Sequence, residues 1–233
     1  LLDGFRSVMF AGAISDIKPE IAAVYVYSDN NDIVFVATDS FRLAEKKIKL
    51  KQPVDFSSVL VPLKNVVDIV RTFESCDEDI TVTISEHQIS FTSGGLYVTS
   101  RLINGTFPDY RQIIPKDHTT EAVMLKSDLI QALRLSNVFS GKFNQITFTL
   151  DPSEKICSLA SKNSDVGEQK TVVSGVMKGN KIEVLVNYRY LSEVLNSIGS
   201  DSISVECTEV NRPIVVKGVG ESHFLYLMMP MNK

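Results

Sequence analysis

Near the midpoint of the chain, the sequence reads FPDYRQIIP over residues 107–115. Pro108 and Pro115 bias the residues that precede them toward extended conformations. Ile113 and Ile114 give the segment an apolar edge that can pack, whereas a flexible linker would be rich in Gly and Ser. We therefore interpret this stretch as an ordered hinge between two domains.

Length and composition agree with two ordinary globular domains. The 233 residues are enough for two domains of roughly 110 to 120 residues, and the hinge divides them into 1–115 and 116–233. Hydrophobic residues make up 44% and charged residues 22% of the sequence, as in soluble globular proteins. No apolar run approaches the roughly 20 residues that span a membrane. The opening Leu-Leu-Asp-Gly has neither Met nor signal-peptide order, so we expect the chain to start within a longer protein.

Cysteine content indicates the redox compartment of the protein, and net charge indicates which partners it can attract. Cys76, Cys157 and Cys207 are far apart and odd in number, which argues against a disulfide framework or a metal site. A reducing cytoplasm fits this pattern. The net charge of -4 provides no global attraction to nucleic acid, so DNA binding would need a locally basic face.

Hydrophobic periodicity predicts the same order of elements in both halves. In the first half it predicts helices at 2–13 and 63–73, and strands at 22–27, 33–38, 41–50, 80–84, 88–92 and 96–102. In the second half it predicts helices at 128–139, with Ser127 as N-cap, and 188–198, and strands at 121–125, 146–150, 156–160, 170–175, 181–186, 203–207, 213–219 and 223–228. Hairpin-linked strands with two helices per half indicate an α+β fold used twice, with antiparallel sheets and the helices on one side. The first half lacks the strand that precedes the equivalent helix of the second half.

The sequence contains no motif that supports catalysis, and no cofactor or metal ion is expected. His87, His118 and His223 have no Cys or carboxylate at ligand spacing. The stretch at 93–95, Ser-Gly-Gly, joins two predicted strands and is typical of a turn rather than a phosphate loop.

Basic residues on or beside the predicted helices are candidates for facing DNA. They are Arg6, Lys64, Arg71, Arg134, Lys142 and Arg189. They occupy positions that the apolar stripes leave exposed, and duplex DNA carries about one charge per 1.7 Å for such residues to contact. Acidic residues lie on the same helices, so an ordinary solvated surface is the alternative.

The C-terminal run FLYLMMPM, residues 224–231, is apolar and rich in sulfur. One interpretation is a central strand with a buried end. The other is an adaptable, methionine-lined groove for the apolar side chains of a partner.

Three segments together resemble the bacterial sliding clamp, the DNA polymerase III beta subunit. They are ATDSFRLA at 37–44, FPDYR at 107–111 and Met-Pro-Met at 229–231, in matching order and spacing. The resemblance covers the whole chain and corresponds to the middle and C-terminal domains of a three-domain subunit. It implies two tandem clamp domains with the sheets outside and two helices per domain facing a DNA channel.

The resemblance also implies a function. In the family, two subunits close head to tail into a ring that encircles duplex DNA without sequence specificity. The ring is a non-catalytic processivity factor for DNA replication in the bacterial cytoplasm, at the nucleoid. It tethers the replicative polymerase, the clamp loader and repair proteins through short linear peptides.

In the family these peptides bind a groove between the middle and C-terminal domains. By resemblance, its deep part would consist of Thr38, Leu43, Pro108, Ile113, Leu227 and Met229, with Arg42 at the edge. The neighbouring part would consist of Phe41, Asn187, Tyr190, Asn211, Pro213, Pro230 and Met231. Leu, Ile and Met suit a Leu or Phe anchor, while Arg42 and Asn187 can orient the peptide.

The chain departs from the family pattern at three places. Ser40 and Phe41 stand where the family commonly has Gly-His, which makes the shallow part of the groove more apolar. Gln112 stands where Arg is common, and the tail ends Asn-Lys rather than in Arg. We expect these departures to shift ligand preference.

Two other functions stay open on sequence alone. Asp39, Arg42 and Tyr110 allow a small hydrolase or transferase with an inter-domain site, although one carboxylate without a base or oxyanion donors makes a poor active site. The other is an interaction scaffold with no role at DNA.

Overall fold

The computed structural model describes residues 1–15, 17–163 and 166–232, which form two compact units. Unit 1 is Leu1–Asp109 and unit 2 is Tyr110–Lys233. The division falls within the predicted hinge, and the predicted domain boundary after Pro115 stays a prediction.

Unit 1 contains two helices and two antiparallel sheets. Its elements are α1 (Leu2–Val8), β1 (Ala23–Asp29), β2 (Asp32–Thr38), β3 (Arg42–Lys49), β4 (Val59–Pro62), α2 (Leu63–Phe73), β5 (Thr81–Ile84), β6 (Gln88–Ser93) and β7 (Leu96–Arg101). Within the unit, one sheet has the order β3-β2-β1-β4 and the other β5-β6-β7. The sequence missed β4, a four-residue strand that runs directly into α2.

Aromatic packing in unit 1 joins α1 to both sheets. Phe5 meets Phe35 edge-on, with ring centroids 5.0 Å apart, and Phe91 at 6.3 Å, as aromatic pairs prefer. A Cβ atom on Gly4 would lie 2.3 Å from the Phe35 ring, so glycine permits this close approach. The two helices of the unit also contact each other.

Unit 2 has the same plan with more strands. Its elements are β8 (Thr120–Leu125), α3 (Lys126–Val138), β9 (Gln145–Asp151), β10 (Ile156–Asn163), β11 (Gly167–Val173), β12 (Gly175–Gly179), β13 (Ile182–Asn187), α4 (Tyr188–Val194), β14 (Ser202–Cys207), β15 (Ile214–Gly218) and β16 (Phe224–Met228). Within the unit, one sheet has the strand order β12-β8-β14-β15-β16 and the other has β11-β10-β9-β13. All neighbouring strands are antiparallel.

The two units repeat one topology, which confirms the predicted α+β class and the duplication. The order β3-β2-β1-β4, followed by α2, corresponds to β11-β10-β9-β13, followed by α4. The order β5-β6-β7 corresponds to β14-β15-β16. In unit 2, β14 also pairs with β8, and among the described residues of unit 1 no strand takes that place beside β5.

Five predictions about the elements were wrong. The helix predicted at 2–13 ends at Val8 and is followed by a 3-10 turn at Met9–Ala11. The strand predicted at 170–175 is split between β11 and β12, and α4 ends at Val194. Ser127 does not cap α3, because that helix begins at Lys126 directly after β8, and the Ser127 hydroxyl donates to Asp128 instead. The apolar spacing of α3 predicts that Val138 is buried together with Leu129, Ile130 and Leu133, but Val138 is 62% exposed.

A carboxylate at the β9–β10 turn makes stability sensitive to acid. Asp151 accepts hydrogen bonds from the Ser153 hydroxyl at 2.6 Å and the Lys181 ammonium at 2.9 Å. These bonds stabilise the charged carboxylate and lower the pKa of Asp151 from 3.8 to about 2. Because the folded pKa lies below the unfolded value, this stabilisation is present above about pH 4 and is lost as pH falls toward 2.

We predict that Asp151→Asn lowers the free energy of unfolding at neutral pH and that its effect disappears toward pH 2. Urea unfolding of both proteins at a series of pH values measures this difference. A difference that stays constant from neutral pH to pH 2 would contradict the assignment.

Candidate functional site

The motif at 37–44 forms the tight hairpin between β2 and β3. Thr38 pairs with Leu43 as the last pair of the ladder. The Thr38 hydroxyl donates to the Arg42 carbonyl at 2.7 Å and accepts from the Ser40 amide at 3.2 Å. Ser40 has φ of 78°, in the left-handed region that glycine adopts most easily. The turn therefore keeps its shape through side-chain hydrogen bonds despite having no glycine.

Asp39 holds the rest of the turn and fixes Arg42. One carboxylate oxygen accepts from the amides of Phe41 and Arg42, both at 2.9 Å, and the other accepts from Arg42 Nε at 2.9 Å. The guanidinium also lies 5.6 Å from the centre of the Phe10 ring, within cation–π range. Groups of the hairpin engage both oxygens of Asp39. The hairpin therefore accounts for Asp39 without a catalytic role.

The hairpin offers one large apolar side chain to solvent. Phe41, at the tip, is 61% exposed, whereas Leu43 is buried. Leu43 therefore belongs to the core, and Phe41 is the accessible apolar side chain of the hairpin.

The hinge segment is ordered at its start. Phe107 stacks on Tyr25 of β1, with ring centroids 4.9 Å apart and planes 7° apart. Pro108 is exposed. Tyr110–Ile113 forms a short 3-10 helix in which Tyr110 is buried and Ile113 is half-exposed.

In unit 2, hydrogen bonds gather the predicted site residues around the start of α4. Asn187 caps α4 by accepting from the Arg189 amide at 3.0 Å. The hydroxyl of Tyr226 donates to the Tyr190 carbonyl at 2.9 Å. The Met231 amide donates to the Leu185 carbonyl of β13 at 2.7 Å. These bonds fix the segment after β16 beside the end of β13.

The remaining predicted residues of unit 2 lie on or next to β15 and β16. Ile214 pairs with Met228, so Pro213 and Met229 are the next residues beyond that pair. Leu227 is buried, the side chains at 229–231 are half-buried, and Asn211 is exposed in the preceding turn. Unit 2 thus presents a methionine-rich surface with a tyrosine and two amides nearby.

The six basic residues are all exposed. Arg6 on α1 forms an ion pair with Glu74 at 3.4 Å, and Lys142 lies in the turn after α3 rather than on a helix. The sequence did not single out the exposed apolar side chains near α3, which are Leu135, Val138 and Phe143. The structure shows that α3 buries Leu129 and Leu133 on one face, and the exposed Leu135 and Val138 lie on the other.

Burial raises the pKa of the Cys157 and Cys207 thiols to about 12, so neither is an effective nucleophile at neutral pH. No group of three or more His, Cys, Asp or Glu residues in the described part of the chain is arranged to hold a metal ion. Of the helices in the described ranges, none has the length and apolar character to cross a membrane.

Two family models match nearly the whole chain. The central domain of the DNA polymerase III beta subunit matches residues 3–109, and the C-terminal domain of the same subunit matches residues 111–232. The Beta sliding clamp of Synechococcus elongatus is 29% identical over 237 aligned residues, which cover 100% of this chain and 63% of the relative. The Beta sliding clamp of Bacillus subtilis is 25% identical, and the alignment covers 97% of this chain and 61% of the relative. The chain therefore spans less than two thirds of the length of these relatives.

Solved structures agree on the fold. The sliding clamp of Bacillus subtilis matches with a TM-score of 0.95 and 23% identity, covering 100% of this chain and 62% of the other. The clamp of Pseudomonas aeruginosa matches with a TM-score of 0.93, 24% identity and coverage of 100% and 63%. Another structure of the Pseudomonas aeruginosa clamp, with a TM-score of 0.92, contains griselimycin.

Fold and sequence together classify the protein. Two tandem α+β domains of this topology define a clamp-type protein. The chain belongs to the DNA polymerase III beta subunit family, of which it contains the central and C-terminal domains.

We predict that Asp39→Ala destabilises unit 1 by about 1.5 to 3 kcal/mol, as loss of hydrogen bonds to a charged group does. Urea unfolding measures the change. In the Arg42→Met background the same substitution should cost less, because one of its partners is already absent. Equal costs in the two backgrounds would show that Asp39 and Arg42 are not coupled.

Proposed function

We propose that this chain is the middle and C-terminal part of a sliding clamp, a non-catalytic processivity factor for DNA replication. The main support for this proposal is the match of the central and C-terminal family models to residues 3–109 and 111–232. In the whole protein, two subunits close into a ring around duplex DNA in the bacterial cytoplasm. The ring holds DNA without reading its sequence.

Loose phosphate contacts suit this role, because base-specific contacts would hold the ring at particular sequences. Exposed Arg6, Lys64, Arg71, Arg134, Lys142 and Arg189 support the proposal that the helices face DNA. The ion pair between Arg6 and Glu74 is exposed, and such pairs exchange easily in favour of phosphate.

Retention on DNA tests the ring. The full-length protein should stay on nicked circular duplex DNA during gel filtration and should slide off once a restriction enzyme linearises the circle. Loss from the intact circle would overturn topological binding, and retention on linear DNA without blocked ends would indicate ordinary affinity instead.

We also propose that both units contribute side chains to binding short peptides from polymerases, the clamp loader and repair proteins. In unit 1 these are Thr38, Phe41, Arg42, Leu43 and Pro108. In unit 2 they are Ile113, Asn187, Tyr190, Asn211, Pro213, Leu227, Met229, Pro230 and Met231. The fixed guanidinium of Arg42 and the accessible apolar surface of Phe41 and Met229 support this assignment. A related clamp that binds griselimycin supports it as well.

Phe41 and Gln112, which depart from the family pattern, change which peptides the proposed site prefers. Phe41 adds exposed apolar area where the family commonly has His, and Gln112 removes a positive charge. We therefore expect this clamp to favour apolar peptide ends and to be less selective for acidic ones.

We predict that Met229→Ala weakens binding of a labelled peptide with a Gln-anchored Leu-Phe motif by about 1 to 3 kcal/mol, as truncation of an interface anchor does. Fluorescence polarisation measures the affinity. The matched control is Met177→Ala, because Met177 is also half-buried but lies on β12, outside the proposed site. Equal affinities for the Met229 variant and the unmodified chain would remove Met229 from the site.

A further inference from the structure

The loop at 102–106 joins β7 to the hinge segment and contains the pair Asn104-Gly105. Asn104 is the one asparagine of the sequence that glycine follows. Asn104, Gly105 and Thr106 are all exposed. A backbone amide can attack the side-chain carboxamide of the asparagine before it, and glycine hinders this attack least because it has no side chain and a freely rotating backbone. The pair therefore has the composition and the exposure that this reaction needs.

Neither reacting group is engaged in the folded protein. Within the described part of the chain, the Asn104 carboxamide and the Gly105 amide form no hydrogen bond. Such a bond would have to break before the amide could lose its proton and approach the carboxamide. Asn65, by contrast, lies in α2 and donates from its carboxamide to the Ser100 hydroxyl at 2.7 Å. Folding thus restrains Asn65 and leaves Asn104 free to react.

The loop is fixed on both sides of this pair. The Ile103 amide donates to the Leu60 carbonyl of β4 at 2.9 Å. On the other side, the Phe107 ring stacks on Tyr25, with centroids 4.9 Å apart. A short exposed span therefore connects two fixed points, and any change in its backbone length must be absorbed within residues 104–106.

We propose that Asn104 is a modification site, at which the chain converts asparagine to aspartate and isoaspartate without an enzyme. The Gly105 amide loses its proton to solvent base, and its nitrogen attacks Cγ of Asn104. The bond between Cγ and Nδ2 then breaks, and this nitrogen leaves as ammonia after taking up one proton. The product is a cyclic imide, a succinimide, that includes the Gly105 nitrogen.

Water opens the succinimide in either of two ways. When water adds at Cγ, the bond from Cγ to the Gly105 nitrogen breaks and residue 104 becomes aspartate. When water adds at the main-chain carbonyl carbon, the bond from that carbon to the nitrogen breaks and residue 104 becomes isoaspartate, whose backbone runs through the former side chain. The whole conversion consumes one water, releases one ammonia and changes no oxidation state. The inference depends neither on peptide binding nor on DNA.

Peptide mapping tests the site. The chain is kept in mildly alkaline buffer, sampled over time and digested, and mass spectrometry follows the replacement of amide by acid at each asparagine. We expect Asn104 to convert before every other asparagine, and we expect an isoaspartyl methyltransferase to label the same peptide. Earlier conversion of a different asparagine would overturn the proposal.

Gly105→Ala is the matched variant, because the structure has room for it. A Cβ atom on Gly105 would lie 3.7 Å from the nearest atom, on the Leu60 side chain, which is an ordinary van der Waals distance. Gly105 is also not among the glycines with positive φ. The added methyl group hinders the attack on Asn104, so we expect conversion there to slow several-fold. The urea midpoint should stay unchanged or rise slightly. Equal conversion rates in the variant and the unmodified chain would contradict the mechanism.

The structural effect of isoaspartate is separable from that of the new charge. Isoaspartate adds one methylene to the backbone between the fixed points at Ile103 and Phe107, whereas Asn104→Asp adds a negative charge with a normal backbone. We expect the aged chain to unfold at a lower urea concentration than fresh Asn104→Asp, and we expect aged Gly105→Ala to show no such loss. If the aged chain and Asn104→Asp unfold at the same urea concentration, the fixed points do not constrain the loop.

Discussion

Antiparallel strand pairing is the constraint on which the rest of this structure depends. Pairing fixes at once which side chains share a face and which peptide groups face an edge. In the β2–β3 hairpin, the pair formed by Thr38 and Leu43 places Leu43 in the core and leaves Phe41 at the tip. In unit 2, the pair formed by Ile214 and Met228 brings the next residues of both strands to one end of the sheet. Several of the residues that we propose for peptide binding thus lie at the ends of ladders.

Periodicity in the sequence is sufficient to predict most elements, and the errors have identifiable causes. The helix at 63–73 is reproduced at both ends because Pro62 stands before it and its apolar stripe is regular. The strand β4 was missed because Val59–Pro62 reads VLVP, a short continuous apolar run without the alternation that makes the equally short β5 recognisable. The end of α4 was placed too late because Leu195 and Ile198 are buried at helical spacing. There the backbone changes to tighter bonds, from the Ser197 amide to the Val194 carbonyl for example.

The residues of the candidate site were chosen from motifs in the sequence and stay a prediction, whereas their contacts are visible only in the structure. The sequence shows Asp39 and Arg42 three residues apart, and only the structure shows that Asp39 also holds two backbone amides and that Phe10 lies beside the guanidinium.

The two sets of residues that we propose for peptide binding, one on each unit, differ in rigidity. Arg42 is held by Asp39 and Phe10 before any ligand arrives, so it loses little side-chain entropy on binding and imposes a fixed geometry. Met229 and Met231 are half-buried and unbranched, and such side chains adapt to apolar groups of different shape at small cost. Under the proposed function, a fixed charged group on one unit and adaptable apolar side chains on the other would select the backbone direction of a peptide more strictly than the identity of its anchor. Exposed Phe41 extends the adaptable part, because an aromatic ring adds apolar contact area without adding a charge that a partner must match.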